Sequence, residues 1–291
     1  MAQIRELKKR MVAVRTIQRI TKTMQMIATA KFNAALQRAR ASRAYTDTLR
    51  RLVEEVSSAA GDVSHPLLEG PSTPSGVVTV VVITSDRGLC GAFNGQVLRK
   101  AEKLCREITT SGKKLQLLVA GKKGVAFFKF AKIPAARTFS FGDKPTFEDA
   151  GRLADEVMDD FINGRSDALH VVYMRFVRAA KQVPEAAQVL PIVKPAAAAG
   201  SVAKAGSPME FSPSAEKILT DLLPRAVRIQ LFQSFLDSAV SEQAMRRVAM
   251  KAATDNATSL VRLLKRNFNR ARQAKITTEL TEIISGVSAL S

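Results

Sequence analysis

At 291 residues with 46% hydrophobic side chains, the chain can build one large core or two modest ones. Lys and Arg number 45 against 26 Asp and Glu, a net charge of +19 that suits an acidic partner: nucleic acid, an anionic lipid surface or an acidic protein. Two cysteines, Cys90 and Cys105, make neither a disulfide framework nor a zinc site and point to the cytosol; the longest apolar run, Val77 to Ile83, falls far short of the ~20 residues of a membrane span.

From Met1 to Ala60 there is no Gly or Pro, and none again from Arg225 to Ser285. If helical, each stretch would run roughly 90 Å, which points to a coiled coil. The Arg-rich start also has the look of a transit peptide, but its pattern continues for about 60 residues, beyond the usual targeting segment, and is read as structure. In the first stretch Ile4, Leu7, Met11, Val14, Ile17, Ile20, Met24 and Ile27 recur at steps of three or four. Ala28, Ala34, Ala35 and Ala39 narrow the stripe, and Tyr45, Leu49, Leu52 and Val56 resume it. The matching stripe opens with Ile229, Phe232, Leu236 and Val240. It continues through Ala253, Ala257, Leu260, Leu264, Phe268 and Ala271 to Leu280, Ile283 and Ile284. The spacing departs from a strict heptad, so an irregular antiparallel pair is expected.

Between the stripes the pattern alternates. Strands are expected at Val77 to Ile83, Leu115 to Ala120 and Ala168 to Val177, and helices at Ala92 to Thr110, Lys122 to Lys132 and Phe147 to Asn163. This is a βαβ order, hence an open, largely parallel sheet. Pro195 to Pro208 reads as a mobile connector, Ser212-Pro213 as a helix cap, and Pro224 as a kink or restart. The fold class expected is α/β plus coiled coil: long antiparallel terminal helices over 1–60 and 212–291, and a Rossmann-like open α/β domain over 61–211.

The chemistry expected of such a sheet is missing. After the first strand stands Asp86-Arg87-Gly88-Leu89-Cys90-Gly91, where two residues separate the glycines. It matches neither G-x-G-x-x-G nor a Walker A loop, and reads as a tight turn that needs glycine. Cys90 reads as a buried, inert thiol. His65 and His170 lie far apart with no carboxylate cluster beside them, so no metal site is supported. No Ser-His-Asp or paired-carboxylate arrangement is locally readable. The charge concentrates on the ends: Met1 to Ala60 holds 13 basic and 4 acidic residues, Ala215 to Ser291 holds 12 and 7. Basic helices could grip DNA, but no aromatic interleaving or base-reading module accompanies them.

Four stretches carry a resemblance. They are Ile20-Thr21-Lys22-Thr23-Met24-Gln25-Met26-Ile27-Ala28; Ser85 to Gly91; Ser241-Glu242-Gln243-Ala244 leading to Ala253-Thr254-Asp255-Asn256-Ala257; and Asn269 to Thr277, continuing to Glu282-Ile283-Ile284. In order and spacing the chain resembles the gamma subunit of F-type ATP synthases along essentially its whole length. Its start coincides with that of bacterial members, which implies an unprocessed bacterial protein.

The resemblance implies a non-catalytic central-stalk rotor without cofactor. Its partners would be the alpha3beta3 hexamer, the epsilon subunit and the c ring, with no nucleic acid and no small-molecule substrate. It would lie on the cytoplasmic face of the inner membrane and carry torque between the proton-driven ring and the catalytic sites. By the same resemblance Lys22, Met24, Arg272 and Gln273 would contact a beta subunit, and Phe211 and Ser212 the c ring. Two departures stand out. Gln25 replaces a frequent Glu, and Met209 to Ser214 replaces a Tyr-x-Tyr-Glu-Pro-Asp stretch, with Ser212 in place of its acid. A basic coiled-coil nucleic-acid binder and an enzyme using the α/β domain are the rival readings.

Overall fold

The computed structural model describes residues 2–59, 65–71, 73–192 and 215–288. The connector at Pro195 to Pro208, the cap at Ser212-Pro213, and Phe211 and Ser212 lie outside the described residues. Two long helices bracket the chain: α1 spans Ala2–Ala59 and α6 spans Ala215–Ser288. Helix α6 runs on through Pro224 rather than restarting there. By internal contacts the chain divides into two compact units, one of Met1–Ala30 with Arg246–Ser291, the other Lys31–Met245.

The larger unit holds a five-stranded sheet of order β3-β2-β1-β4-β5. Strands β1 (Val77–Ile83), β2 (Lys114–Ala120), β3 (Arg137–Phe139) and β4 (Ala168–Arg178) are parallel, and β5 (Lys181–Leu190) returns antiparallel along β4. Alternate residues of β1 feed opposite faces, as the period of two requires. Val78, Val80 and Val82 pack with α3 (Phe93–Thr110) and α4 (Lys122–Phe130) around Phe93, Val97 and Phe128. Val81 and Ile83 pack on the other face with α5 (Phe147–Ile162), the short α2 (Pro66–Glu69), and the parts of α1 and α6 within this unit, through Val53, Val56, Leu223 and Val227. Helices thus cover both faces of a mixed, mainly parallel sheet, which explains why β1 is apolar at every position but the buried Thr79.

Three glycine findings separate the two turns at the sheet's carboxyl edge. In the Asp86–Gly91 turn, Gly91 has φ +60° and Leu89 φ +62°, so one left-handed position is held by a residue that gains nothing from it. Gly88 has only ordinary space around it: an added Cβ would meet Lys123 Cε at 3.6 Å. The crowded glycine is Gly121, after β2, where a Cβ would stand 2.2 Å from the Thr84 carbonyl oxygen at a φ of +99°.

The smaller unit is a helix pair. Gln18 Nε2 donates to Thr258 Oγ1 at 2.7 Å and Thr254 Oγ1 to Thr21 Oγ1 at 2.8 Å, a falling register that makes the helices antiparallel. The main covered row on α1 is Ile4, Leu7, Met11, Val14, Gln18, Thr21, Gln25 and Ala28, with Met24 and Thr29 partly covered beside it. On α6 it is Met250, Thr254, Ala257, Val261, Leu264, Phe268, Ala271 and Lys275, with Ala253, Thr258 and Asn269 partly covered beside it. Both main rows alternate steps of three and four, so the interface keeps a heptad spacing that a purely apolar reading misses. Ile17, Ile20 and Ile27 instead stand half exposed one position away from it, as does Leu260 on α6. In the larger unit Tyr45 and Leu52 also face water, while Leu49, Val53 and Val56 are buried. The reason is that the covered seam passes through hydroxyl and amide side chains, which apolar periodicity does not count.

Candidate partner interface

A doubly wound sheet binds ligands beyond the carboxyl ends of its strands, where the connections part, here between β1 and β4. That crevice is filled by the chain itself. Ser238 Oγ accepts from Met174 N at 3.3 Å and Ser241 Oγ donates to Met174 O at 3.2 Å, seating α6 against β4. Phe235 of α6 meets Phe141 edge-on at 4.8 Å, and Phe232 meets Phe147 at 5.5 Å. A void of about 40 Å³ remains among Thr84, Asp86, Gly121, Phe141, Phe235 and Ser238. That is an order of magnitude below the usual size of a ligand site.

The helix terminus that could hold a phosphate is also occupied. At the start of α4, Gly121 N donates to the Phe139 carbonyl, Lys122 N to Asp86 Oδ1, Lys123 N to the Ser85 carbonyl and Gly124 N to Thr84 Oγ1. All four orphan amides of the first turn are satisfied, one of them by a carboxylate standing where an anion would bind. Cys90 is buried, and Asn94 Nδ2 donates to its sulfur at 3.2 Å. The thiol is part of the turn's packing. Signals for these contacts were present as Thr84, Asp86, Gly121 and Gly124, but only their convergence in space gives them meaning.

The four residues expected to meet a beta subunit lie on the helix pair. Lys22 is exposed and Met24 half-buried on α1; Arg272 and Gln273 are exposed on α6. The register set by the two cross-helix hydrogen bonds puts Met24 level with Lys251 and Arg272 level with Ile4. The four residues therefore form two patches about 30 Å apart along the pair rather than one site. Beyond Lys275, level with the first residues of α1, helix α6 continues without a neighbour from this unit's other helix. There Ile276, Leu280, Ile283, Ile284 and Val287 form a stripe at helical spacing, each more than half exposed. The unit carries 16 basic and 4 acidic residues, +12 of the net +19.

A family model described as ATP synthase matches residues 3–290. Among relatives named ATP synthase gamma chain, that of Rhodopirellula baltica is 38% identical and that of Desulfitobacterium hafniense 39%, each matched over 100% of this chain and at least 99% of its own length. The chain belongs to the ATP synthase gamma chain family. Membership makes it a gamma subunit of the ATP synthase. The fold agrees with solved members: the rotor of the Euglena gracilis mitochondrial ATP synthase superimposes with a TM-score of 0.66 at 20% identity, covering 94% of this chain and 99% of that one. A second Euglena gracilis structure, of OSCP, F1 and c-ring, gives 0.68 at 21% identity, covering 99% and 95%. Among the described residues no helix is long and apolar enough to cross a membrane.

Proposed function

We propose that this chain is the central-stalk rotor of a bacterial F-type ATP synthase, a subunit with no catalytic site of its own that carries torque between a proton-driven c ring and an alpha3beta3 hexamer. The observation that carries the reading is the helix pair: an excess of cations, two separated polar patches, and an uncovered apolar stripe at the end of α6. Exposed apolar area of this kind marks a surface awaiting a partner. The α/β unit, its ligand crevice filled by α6, would serve as the base that meets epsilon and the c ring, the latter through Phe211 and Ser212. The assembled subunit would lie on the cytoplasmic face of the inner membrane without spanning it.

Lys22, Met24, Arg272 and Gln273 are the contacts proposed with the beta subunits. An Arg beside an amide can grip a carboxylate through paired hydrogen bonds. A cation introduced at Met24 would join Lys22 and Lys251 on an already basic level of the pair and hold acidic beta-subunit groups unevenly as the angle changes. ATP hydrolysis and ATP-driven proton pumping, measured side by side in vesicles with assembly verified, test this. Met24→Lys should keep hydrolysis while pumping falls severalfold. Arg272→Ala should weaken the angle-dependent control of hydrolysis. Unchanged rate and pumping ratio in both variants would sink the assignment of these residues.

A further inference from the structure

Within the larger unit, the face of α1 from Phe32 to Arg43 and the tip of the β4–β5 hairpin enclose an open groove of about 360 Å³. Its floor is apolar: Phe32 and Ala39 are buried beneath it, Phe32 meeting Phe176 edge-on at 6.0 Å, and Leu36, Phe176 and the exposed Val177 carry the apolar surface that remains open. Its rim is cationic, formed by Arg40, Arg43 and Arg178. Arg40 and Arg178 are exposed and make no ion pair among the described residues. Arg43 is held by one nitrogen only: Nη2 donates to both oxygens of the buried Asp237 carboxylate at 3.1 Å and to the Phe176 carbonyl at 3.4 Å. Its Nε and Nη1 have no partner among the described residues. The guanidinium is thus fixed in position with donors to spare, a preorganised carboxylate receptor beside two further cations and an apolar floor.

We infer that this groove receives an acidic amphipathic helix of a partner subunit, its apolar face on Leu36, Phe176 and Val177 and its carboxylates on Arg40, Arg43 and Arg178. Charge complementarity selects the occupant. A second copy of this chain would bring +19 of its own, and a nucleic-acid strand would leave the apolar floor unused. The volume suits a few side chains projecting from a helix, the helix-in-groove mode, rather than a whole peptide backbone. The inference rests on the reading of the chain as an assembly subunit.

The test uses the purified ATP synthase carrying Arg40→Lys or Arg178→Lys. These changes keep the charge but supply an amine that a carbodiimide can join directly to a neighbouring carboxylate. The expected result is a cross-link from position 40 or 178 to Asp or Glu residues of one partner helix, located by mass spectrometry. In the R178K background, a further Arg40→Glu should cut its yield about tenfold, since a reversed rim charge repels the same carboxylates. Native Lys22 reports separately on the proposed beta contact. If Lys22 cross-links to a beta subunit while positions 40 and 178 yield nothing, or join only a second copy of this chain or a segment without acidic helical spacing, the groove assignment is overturned and the proposed function stands. If Lys22 also fails to join any partner, both fall.

Discussion

The two units of this chain solve the problem of burial in opposite ways. In the α/β unit, Phe93, Phe128, Phe161, Leu117 and Leu118 are among the largest side chains sealed from water, and both sheet faces are covered from within the chain. The helix pair is held by a narrow seam in which Gln18, Thr21, Thr254 and Thr258 interrupt the apolar contacts, while Ile20, Ile276 and Ile283 face outward. The first unit closes its main core by itself. The second leaves apolar area and most of the charge unspent, the signature of a surface completed by other chains.

The sharpest test of that contrast is a pair of core truncations in the isolated chain. Phe128→Ala, at a position with no exposure, should cost about 3–5 kcal/mol. Leu264→Ala, at a seam position 9% exposed with water on both sides of the seam, should cost about 1 kcal/mol, because less area is lost and the site can collapse. Urea unfolding followed by far-ultraviolet dichroism reads both. Equal losses would break the distinction between a self-sufficient and an incomplete core.

A somewhat smaller loss is expected at Gly121. An Ala there combines a left-handed φ with an approach to the Thr84 carbonyl that backbone movement alone can relieve, and should cost about 3 kcal/mol. Gly88→Ala, in the more conspicuous turn, should stay within about 1 kcal/mol, since its φ is ordinary and only the end of Lys123 lies near. A larger loss at Gly88 than at Gly121 would overturn the view that the β2–α4 turn is the tight one.

The seam offers a change in the other direction. Thr21→Val with Thr254→Val removes both partners of one hydrogen bond and adds apolar surface of nearly the same shape. The helix pair should gain up to about 1 kcal/mol. Thermal melting followed at 222 nm checks this; a net loss would mean that the hydroxyl layer holds the pair together rather than interrupting it.

Sequence patterns locate the strongly periodic elements closely: β1 at Val77–Ile83 and α5 from Phe147 lie where their side chains suggest. Strand β5 escapes because Pro184, Ala186 and Ala187 weaken its strand signal; it can hold them because it lies at the sheet's edge, paired to β4 alone. The outward isoleucines of α1 mislead for a related reason. Apolarity marks what avoids water in the assembled state, and a chain that finishes its burial on partners scatters that mark over surfaces it cannot cover. Arg272 and Gln273 are legible only through the resemblance, since nothing in their spacing sets them apart from other exposed polar residues of α6. The filled crevice was half legible: the failed glycine spacing excludes a dinucleotide loop, but that Phe235 and Ser238 stand in its place depends on a helix more than a hundred residues away.

The smallest expected effect separates the units by acidity. Both histidines, His65 and His170, belong to the α/β unit; the helix pair has none. His170 lies on β4 between Val80 of β1 and Gln188 of β5, and burial, assisted by the Lys113 charge, lowers its pKa below the ordinary 6.5. Burial lowers His65 as well, and its Nδ1 accepts from Leu67 N at 3.1 Å, a bond available only to the unprotonated nitrogen. In both cases the unfolded chain takes up its proton first as pH falls. Stability is therefore fully present above about pH 7 and declines from there toward the lowered folded values. The Asp237 carboxyl, which burial pushes up against the pull of Arg43, acts in the opposite sense, favouring the folded form as it protonates. Ordinary carboxylates titrate below this window. Hydrogen exchange between pH 7.5 and 5.5, corrected for the intrinsic rate, should show amides of β1 and β4 losing protection while those of α6 from Thr254 to Phe268 hold theirs. His170→Gln should flatten most of the loss at β4. An equal loss of protection in the helix pair, which has no histidine, would show that the two units open together and that the contrast drawn from their cores does not extend to their stability.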